Sequence, residues 1–274
     1  MYFEKLQHTE GMNLLKENPC QLLNFGKIVV GTGGTYAGNT GGNEAVLVIL
    51  SGVANIEAGT ARFSSVGGRA SVFSGKPHSV YLPPNCDYTI KVDEDAPRFE
   101  AALALAKASD GASPYVITPD EVVSGKWGIS NFSRMFNQIL VKGMHPEKKV
   151  SRIIIGETFT PSGNWSTYPP VKPEKNGMSK EVMCYFRVAP SDGWGLVKYY
   201  TDDRSIDGAY TVEDDTILKM PKPGYHTMVS APGYTQYFLW FLAGDTRTQG
   251  VTVDPKLAWV AQTIPIIRNI EENL

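Results

Sequence analysis

The sequence predicts an all-β protein built as two tandem β-barrels of the jelly-roll type, with few short helices. Three observations carry this. Short apolar runs are cut at close, even spacing by Gly, Pro, Asn and Asp. The pattern runs twice along the chain. The length, 274 residues, suits two domains of roughly 130 residues, each able to bury its own core.

In the first half, strands are expected at Lys27 to Val30, Glu44 to Leu50, Val53 to Glu57, Ala70 to Phe73, Val80 to Leu82, Tyr88 to Val92 and Phe99 to Leu105. Turns such as Ser51-Gly52, Ala58-Gly59 and Pro83-Pro84-Asn85 separate them. In the second half they are expected at Val150 to Thr158, Val182 to Val188, Leu196 to Tyr200, Tyr210 to Val212, Thr216 to Met220, Thr227 to Ser230 and Gln236 to Leu242. The stretch 115–141 between them reads as a crossover. The polar run Gly143 to Lys149 marks the cut. Residues 1–143 then form the N-terminal barrel plus the crossover, and 144–274 the C-terminal barrel with a C-terminal helix.

Two segments read as helical. Thr118-Pro119-Asp120-Glu121 has a cap, a proline at the first helical position and acids behind it. Asp254-Pro255 opens a C-terminal helix whose Leu257, Val260, Ala261 and Ile264 share one face. Pro265 is expected to kink or end it.

Composition narrows the function. With 26 basic and 28 acidic residues the net charge is −2, so nothing points to nucleic acid or an anionic membrane as partner. No apolar run approaches the ~18 residues of a membrane span. The opening Met1-Tyr2-Phe3-Glu4-Lys5 lacks a signal-peptide pattern. Three scattered cysteines, Cys20, Cys86 and Cys184, form no C-x-x-C pair. A reduced, cytoplasmic setting and a small-molecule ligand are the expectation.

Gly31-Thr32-Gly33-Gly34 follows a strand, as a dinucleotide loop would. Tyr36 stands where its third glycine belongs, and Ala37 to Asn43 cannot sustain the helix that would receive a phosphate. A plain glycine-rich loop is the better reading.

The second half carries a sharper signal. The string Thr158 to Pro170, containing Pro161-Ser162-Gly163-Asn164-Trp165-Ser166-Thr167-Tyr168-Pro169-Pro170, is unusual. Glu181 to Val188, Tyr200 to Asp207, Met220 to His226 and Ala231 to Tyr234 follow it, with Gly68 to Phe73 and Gly75 to His78 in the first half. In this order the strings resemble the 5-deoxyglucuronate isomerase family over nearly the whole chain. The resemblance implies a bicupin fold, aldose–ketose isomerisation of a sugar acid in inositol breakdown, and a divalent metal (Zn or Mn) in the second barrel. By analogy with cupins it also implies assembly into a homo-oligomer.

The resemblance implies three histidines and one glutamate as metal ligands. Glu181 and His226 stand at two of these positions. Val171 and Pro173 stand where the other two histidines belong, and neither supplies a lone pair. The first half has no His-x-His, so its barrel carries no metal site.

For catalysis, Glu181 or His226 is expected as base, and Lys172 or Arg187 as stabiliser of an enediolate oxygen. Tyr168, Tyr185 and Arg204 are expected against the substrate. On this reading Glu181→Gln abolishes turnover. Plainer roles exist for each. Arg187 shares a strand face with Glu181, so a Glu181–Arg187 or Glu181–Lys172 ion pair would serve structure alone. His226 would be a hydrogen-bonded core residue, and His78 the support of a turn. His8 and His145 read as exposed. Two alternatives follow: a metal-free bicupin that binds a sugar acid without isomerising it, or a related sugar enzyme with altered chemistry.

Overall fold

The computed structural model describes residues 1–143 and 148–273. Strands are β1 (Phe3–Lys5), β2 (Gly11–Leu14), β3 (Leu23–Val30), β4 (Thr35–Asn39), β5 (Asn43–Ser51), β6 (Val53–Ala58), β7 (Ala61–Gly67), β8 (Ser79–Leu82), β9 (Asp87–Lys91) and β10 (Phe99–Lys107). After them come β11 (Tyr115–Ile117), β12 (Val123–Trp127), β13 (Arg134–Leu140), β14 (Ile154–Thr160), β15 (Trp165–Lys172), β16 (Glu174–Lys175) and β17 (Met178–Ala189). The rest are β18 (Gly195–Tyr200), β19 (Asp207–Val212), β20 (Thr216–Met220), β21 (Tyr225–Ser230), β22 (Thr235–Gly244) and β23 (Thr252–Val253), followed by α1 (Ile264–Asn273).

They build two jelly-roll barrels, each of two facing antiparallel sheets. The first pairs β11-β8-β5-β10-β3-β2 with β4-β9-β6-β7; the second pairs β1-β20-β17-β22-β14-β13-β12 with β19-β18-β21-β15-β23. Chain order and sheet membership interleave. β1 pairs with β20, and β12 and β13 extend the second barrel's larger sheet through β14.

The larger sheets pack on each other, and strand alternation divides their side chains. On β17, Met183 and Tyr185 join a core between the barrels, with Phe25, Val46, Tyr81, Leu239 and Phe241. Val182, Cys184, Phe186 and Val188 point the other way, into the second barrel with Tyr199, Met228 and Trp240. The first barrel has its own apolar filling, including Ile28, Val30, Leu47, Tyr88, Ile90 and Phe99.

Several expectations change. Ala70 to Phe73 is a turn closed by Ser74 N–H on the Ser71 carbonyl. It follows Gly67 and Gly68 at φ 121° and 114°, which break the extended course of β7. The stretch 115–141 holds three strands. β14 starts four residues later than expected, because the N–H groups of 151–153 are taken by a carboxylate. The glycine loop leads into β4, with Gly34 N–H turning back on the Gly31 carbonyl. Pro119–Glu121 forms a 3₁₀ turn with Thr118 and Glu121 in a capping box, as expected.

At the C-terminus a 3₁₀ stretch, Ala258–Thr263, ends just ahead of Pro265, and α1 begins at Ile264 with Pro265 in its first turn. In the first turn its missing N–H costs nothing. Of the expected buried side, Val260 alone is buried; Leu257 and Ile264 are half-buried and Ala261 is exposed. No helix among the described residues is long and apolar enough to cross a membrane.

Candidate active site

Glu181 lies on the outer face of β17, toward the other barrel. Its carboxylate accepts the N–H groups of Gln21, Leu22 and Leu23 at 2.8, 2.8 and 3.1 Å. Those residues lead into β3. Glu44 does the reciprocal job from the first barrel. It accepts the N–H groups of Ser151, Arg152 and Ile153 at 2.8, 2.5 and 2.8 Å, where the chain enters β14. Glu181 is thus half of a pair of inter-barrel clamps. The inward residue at this level is Val182, so Glu181 and His226 do not share a metal. This corrects the expected ligand pair and removes Glu181 from the two residues expected as base. The physical reason is the two-residue period of the strand.

The same period carries Tyr185 and Arg187 away from the second barrel's interior. Tyr185 stacks on Phe25 at 5.1 Å and donates its hydroxyl to Asp215. Arg187 binds Asp214 at 2.9 Å and Glu100 at 3.1 Å. Burial opposes its charge, but the Asp215 and Asp214 carboxylates and the Tyr185 phenol more than offset this. Neither expected Glu181 ion pair forms. Arg187 belongs to a network in which Lys27 donates to Asp215 at 2.7 and 2.8 Å, with His8 3.1 Å from that carboxylate.

Lys172 and Arg204 come together at the second barrel's rim. Lys172 donates to Asp202 at 2.6 Å and sits 5.4 Å over the Tyr225 ring. Arg204 lies 3.9 Å over Tyr200 and donates to Asp207 at 2.8 Å. Tyr200, Asp202, Arg204, Tyr225 and Asp254 line a cleft of about 100 Å³. Tyr168 sits elsewhere, against Trp165 and Phe132 at 5.5 and 6.5 Å. His78 accepts the Gly67 N–H at 3.0 Å and supports a turn. His8 is exposed as expected; His145 lies outside the described residues.

His226 alone of the expected catalytic and metal residues points inward from deep in the second barrel. Its register partners are Val171 on β15 and Tyr199 on β18. Its Nδ1 is buried without a hydrogen-bond partner. Burial pushes the imidazole down to about 4, the Gly224 carbonyl raising it and the Arg134 guanidinium lowering it further. The ring is therefore neutral at neutral pH.

More polar atoms on the inward face of this barrel lack partners: Thr160 Oγ1, Ser166 Oγ and both side-chain atoms of Gln236. Thr160 and Gln236 are register partners. Thr160 and Gln236 stand on the larger sheet and Ser166 and His226 on the smaller one facing it. Buried polar groups are ordinarily satisfied, so orphans on both inner walls are the mark of a ligand or water site.

These donors do not fit a divalent cation. Among the described residues no three His, Cys, Asp or Glu side chains converge. Across from His226 stands Val171, and Val182 faces inward beside the clamp. Hydroxyls and an amide hold such ions poorly without carboxylates or further imidazoles.

Comparison with known proteins agrees with the fold. A family model described as the KduI/IolB family matches residues 4–260. A 5-deoxy-glucuronate isomerase from Geobacillus kaustophilus is 34% identical over 249 residues, spanning 89% of this chain and 87% of that protein. The crystal structure of an IolB-like protein from Salmonella typhimurium matches with TM-score 0.85 at 25% identity, covering 95% of this chain and 99% of that one. Oxalate decarboxylase from Lactobacillus farciminis, at TM-score 0.67 and 10% identity over 100% and 93% of the two chains, shares the double-barrel cupin fold alone. On this match of sequence and of fold, the chain belongs to the KduI/IolB family.

Proposed function

We propose that this protein is an isomerase acting on 5-deoxy-glucuronate or a closely similar sugar acid, converting an aldose to a ketose within the second barrel. The observation that carries this is the alignment of nearly the whole chain with relatives named for that activity. The reaction moves a proton between adjacent carbons while an enediolate oxygen is stabilised. His226 is the group suited to it, being inward-facing, neutral and free at Nδ1. A cytoplasmic site of action fits three cysteines that are all unbridged.

A second reading has its own support. The incomplete donor set around His226 favours a bicupin that binds the sugar acid without isomerising it. One experiment separates them. The protein is given 5-deoxy-glucuronate and the aldehyde proton is followed by NMR, after chelation and again after addition of Zn or Mn. Turnover in the chelated protein supports the isomerase with its own side chains. Turnover that appears only with added metal overturns the conclusion that the donors do not fit. Binding without turnover in any arm overturns the isomerase reading and supports the second.

A further inference from the structure

We infer that Arg134, on β13, is the anchor for a ligand carboxylate inside the second barrel, with Thr160, Ser166, Gln236 and His226 as uncharged partners for its hydroxyls. This rests on the sugar-acid reading above for the ligand's class. Its grounds are independent of that reading.

The first ground is charge. The cations nominated from the sequence are spent: Lys172 on Asp202, Arg187 on Glu100 and Asp214, Arg204 on Asp207. Arg134 makes no hydrogen bond or ion pair among the described residues, and its one polar-type contact is the Trp127 ring, 5.3 Å away. Arg134 is half-buried, and this desolvation, with no compensating carboxylate, pushes its guanidinium down to about 10. Such a group is costly unless something anionic arrives. Lys180, also without an ion pair, lies at the other end of β17 from Val188, the register partner of Gln236, and has Asp245 nearby.

The second ground is direction. Phe136 pairs with Thr158, whose hydroxyl receives the indole N–H of the inward Trp240. Arg134 lies two residues before Phe136 and therefore shares its inward face. Its charge is felt at His226. Asn164 ties the β14–β15 turn to the segment just before Arg134, donating to the Ser130 and Ser133 carbonyls at 3.2 and 3.1 Å.

The third ground is strain on the facing wall. Between Ser166 and Val171 the β15–β21 register slips. In that bulge Thr167 sits at φ 54°, with Oγ1 buried and unpartnered. A β-branched residue in the left-handed region is strained, and such outliers cluster at ligand sites. A planar guanidinium, a neutral imidazole, hydroxyls and an amide together match one carboxylate on a polyhydroxylated chain.

The test uses D-glucuronate and uncharged D-glucose as probes, titrated calorimetrically into the full-length protein. Wild type is expected to bind glucuronate and to bind glucose at least ~10-fold more weakly, a charged bidentate contact being the difference. Arg134→Gln is expected to remove that preference and Arg134→Lys to restore part of it. Should Arg134→Gln fail to fold, Thr160→Val is expected to weaken glucuronate while keeping the preference over glucose. Equal binding of the two sugars by wild type overturns the inference. So does a preference unchanged in a folded Arg134→Gln, or a preference lost in Thr160→Val. Arg134-dependent binding without turnover of 5-deoxy-glucuronate leaves the inference standing and removes the isomerase reading. Turnover whose KM is unaffected by Arg134→Gln does the reverse.

Discussion

Inside the first barrel Val30 stands across from Phe99, and both are buried and apolar. At the matching place in the second barrel Thr160 stands across from Gln236, and neither side chain finds a partner. Inward from β9 comes Tyr88, packed in the first core; inward from β21 comes His226, with a free nitrogen. Yet the two barrels dock by one scheme. Each sends a glutamate to the three N–H groups that lead into the other's strand, Glu44 to 151–153 and Glu181 to 21–23. Each also sets a buried charge against the other, with the signs exchanged: Lys27 of β3 to Asp215, and Glu157 of β14 to Arg69. The shared clamps serve architecture, and the barrels diverge in the unpartnered polar interior of the second.

The charge pairs give the largest effect. Glu157 is fully buried and held by Arg69 at 2.7 and 3.2 Å, with Asn137 and Tyr237 also donating. Arg69→Met is expected to cost ~3–5 kcal/mol, because a buried carboxylate is left without its cation. Urea unfolding measures it. Lys27→Met should cost less, since Asp215 keeps His8 at 3.1 Å and Arg187 at 4.0 Å. Equal losses would break the idea that the two pairs are supported differently.

His226 supplies a pH test that the first barrel cannot imitate. Its imidazole, near 4 in the fold, returns to about 6.5 when unfolded. The unfolded chain then binds the extra proton, so stability is unaffected above about pH 6.5 and falls as pH drops toward 4, by ~3 kcal/mol in all. Melting temperatures across that range should flatten in His226→Asn. An unaltered slope would show that other groups set it.

The clamps give the smallest effect and the sharpest contrast with sequence reasoning. Glu44→Gln and Glu181→Gln should each lose ~2 kcal/mol, the worth of charge-assisted bonds to backbone N–H groups. At temperatures where it is folded, Glu181→Gln should turn over 5-deoxy-glucuronate at the wild-type rate. Abolished turnover would return Glu181 to catalysis and break the parallel with Glu44.

Much of the fold was legible because it is written locally. Apolar runs of strand length between turn residues located β5, β6, β8, β10, β17, β20 and β22 with no end more than four residues off. β15 was missed because its Thr-Tyr-Pro-Pro run reads as loop, and β13 because its alternation is weak. Of the candidate site, His226 was legible from its string. Arg134 was not: no motif marks it, and it stands out only once the partners of Lys172, Arg187 and Arg204 are known.

By itself the sequence determined the tandem all-β architecture, the family, and the absence of ligating side chains at Val171 and Pro173. The architecture follows from the spacing of apolar runs and turn residues; the family and the two ligand positions follow from the ordered strings that resemble it. Tertiary structure alone decided the faces. One residue along β17 separates Glu181, clamping the neighbouring barrel, from Val182, inside its own. That choice depends on which sheet packs against which, and a strand's own alternation is silent about it.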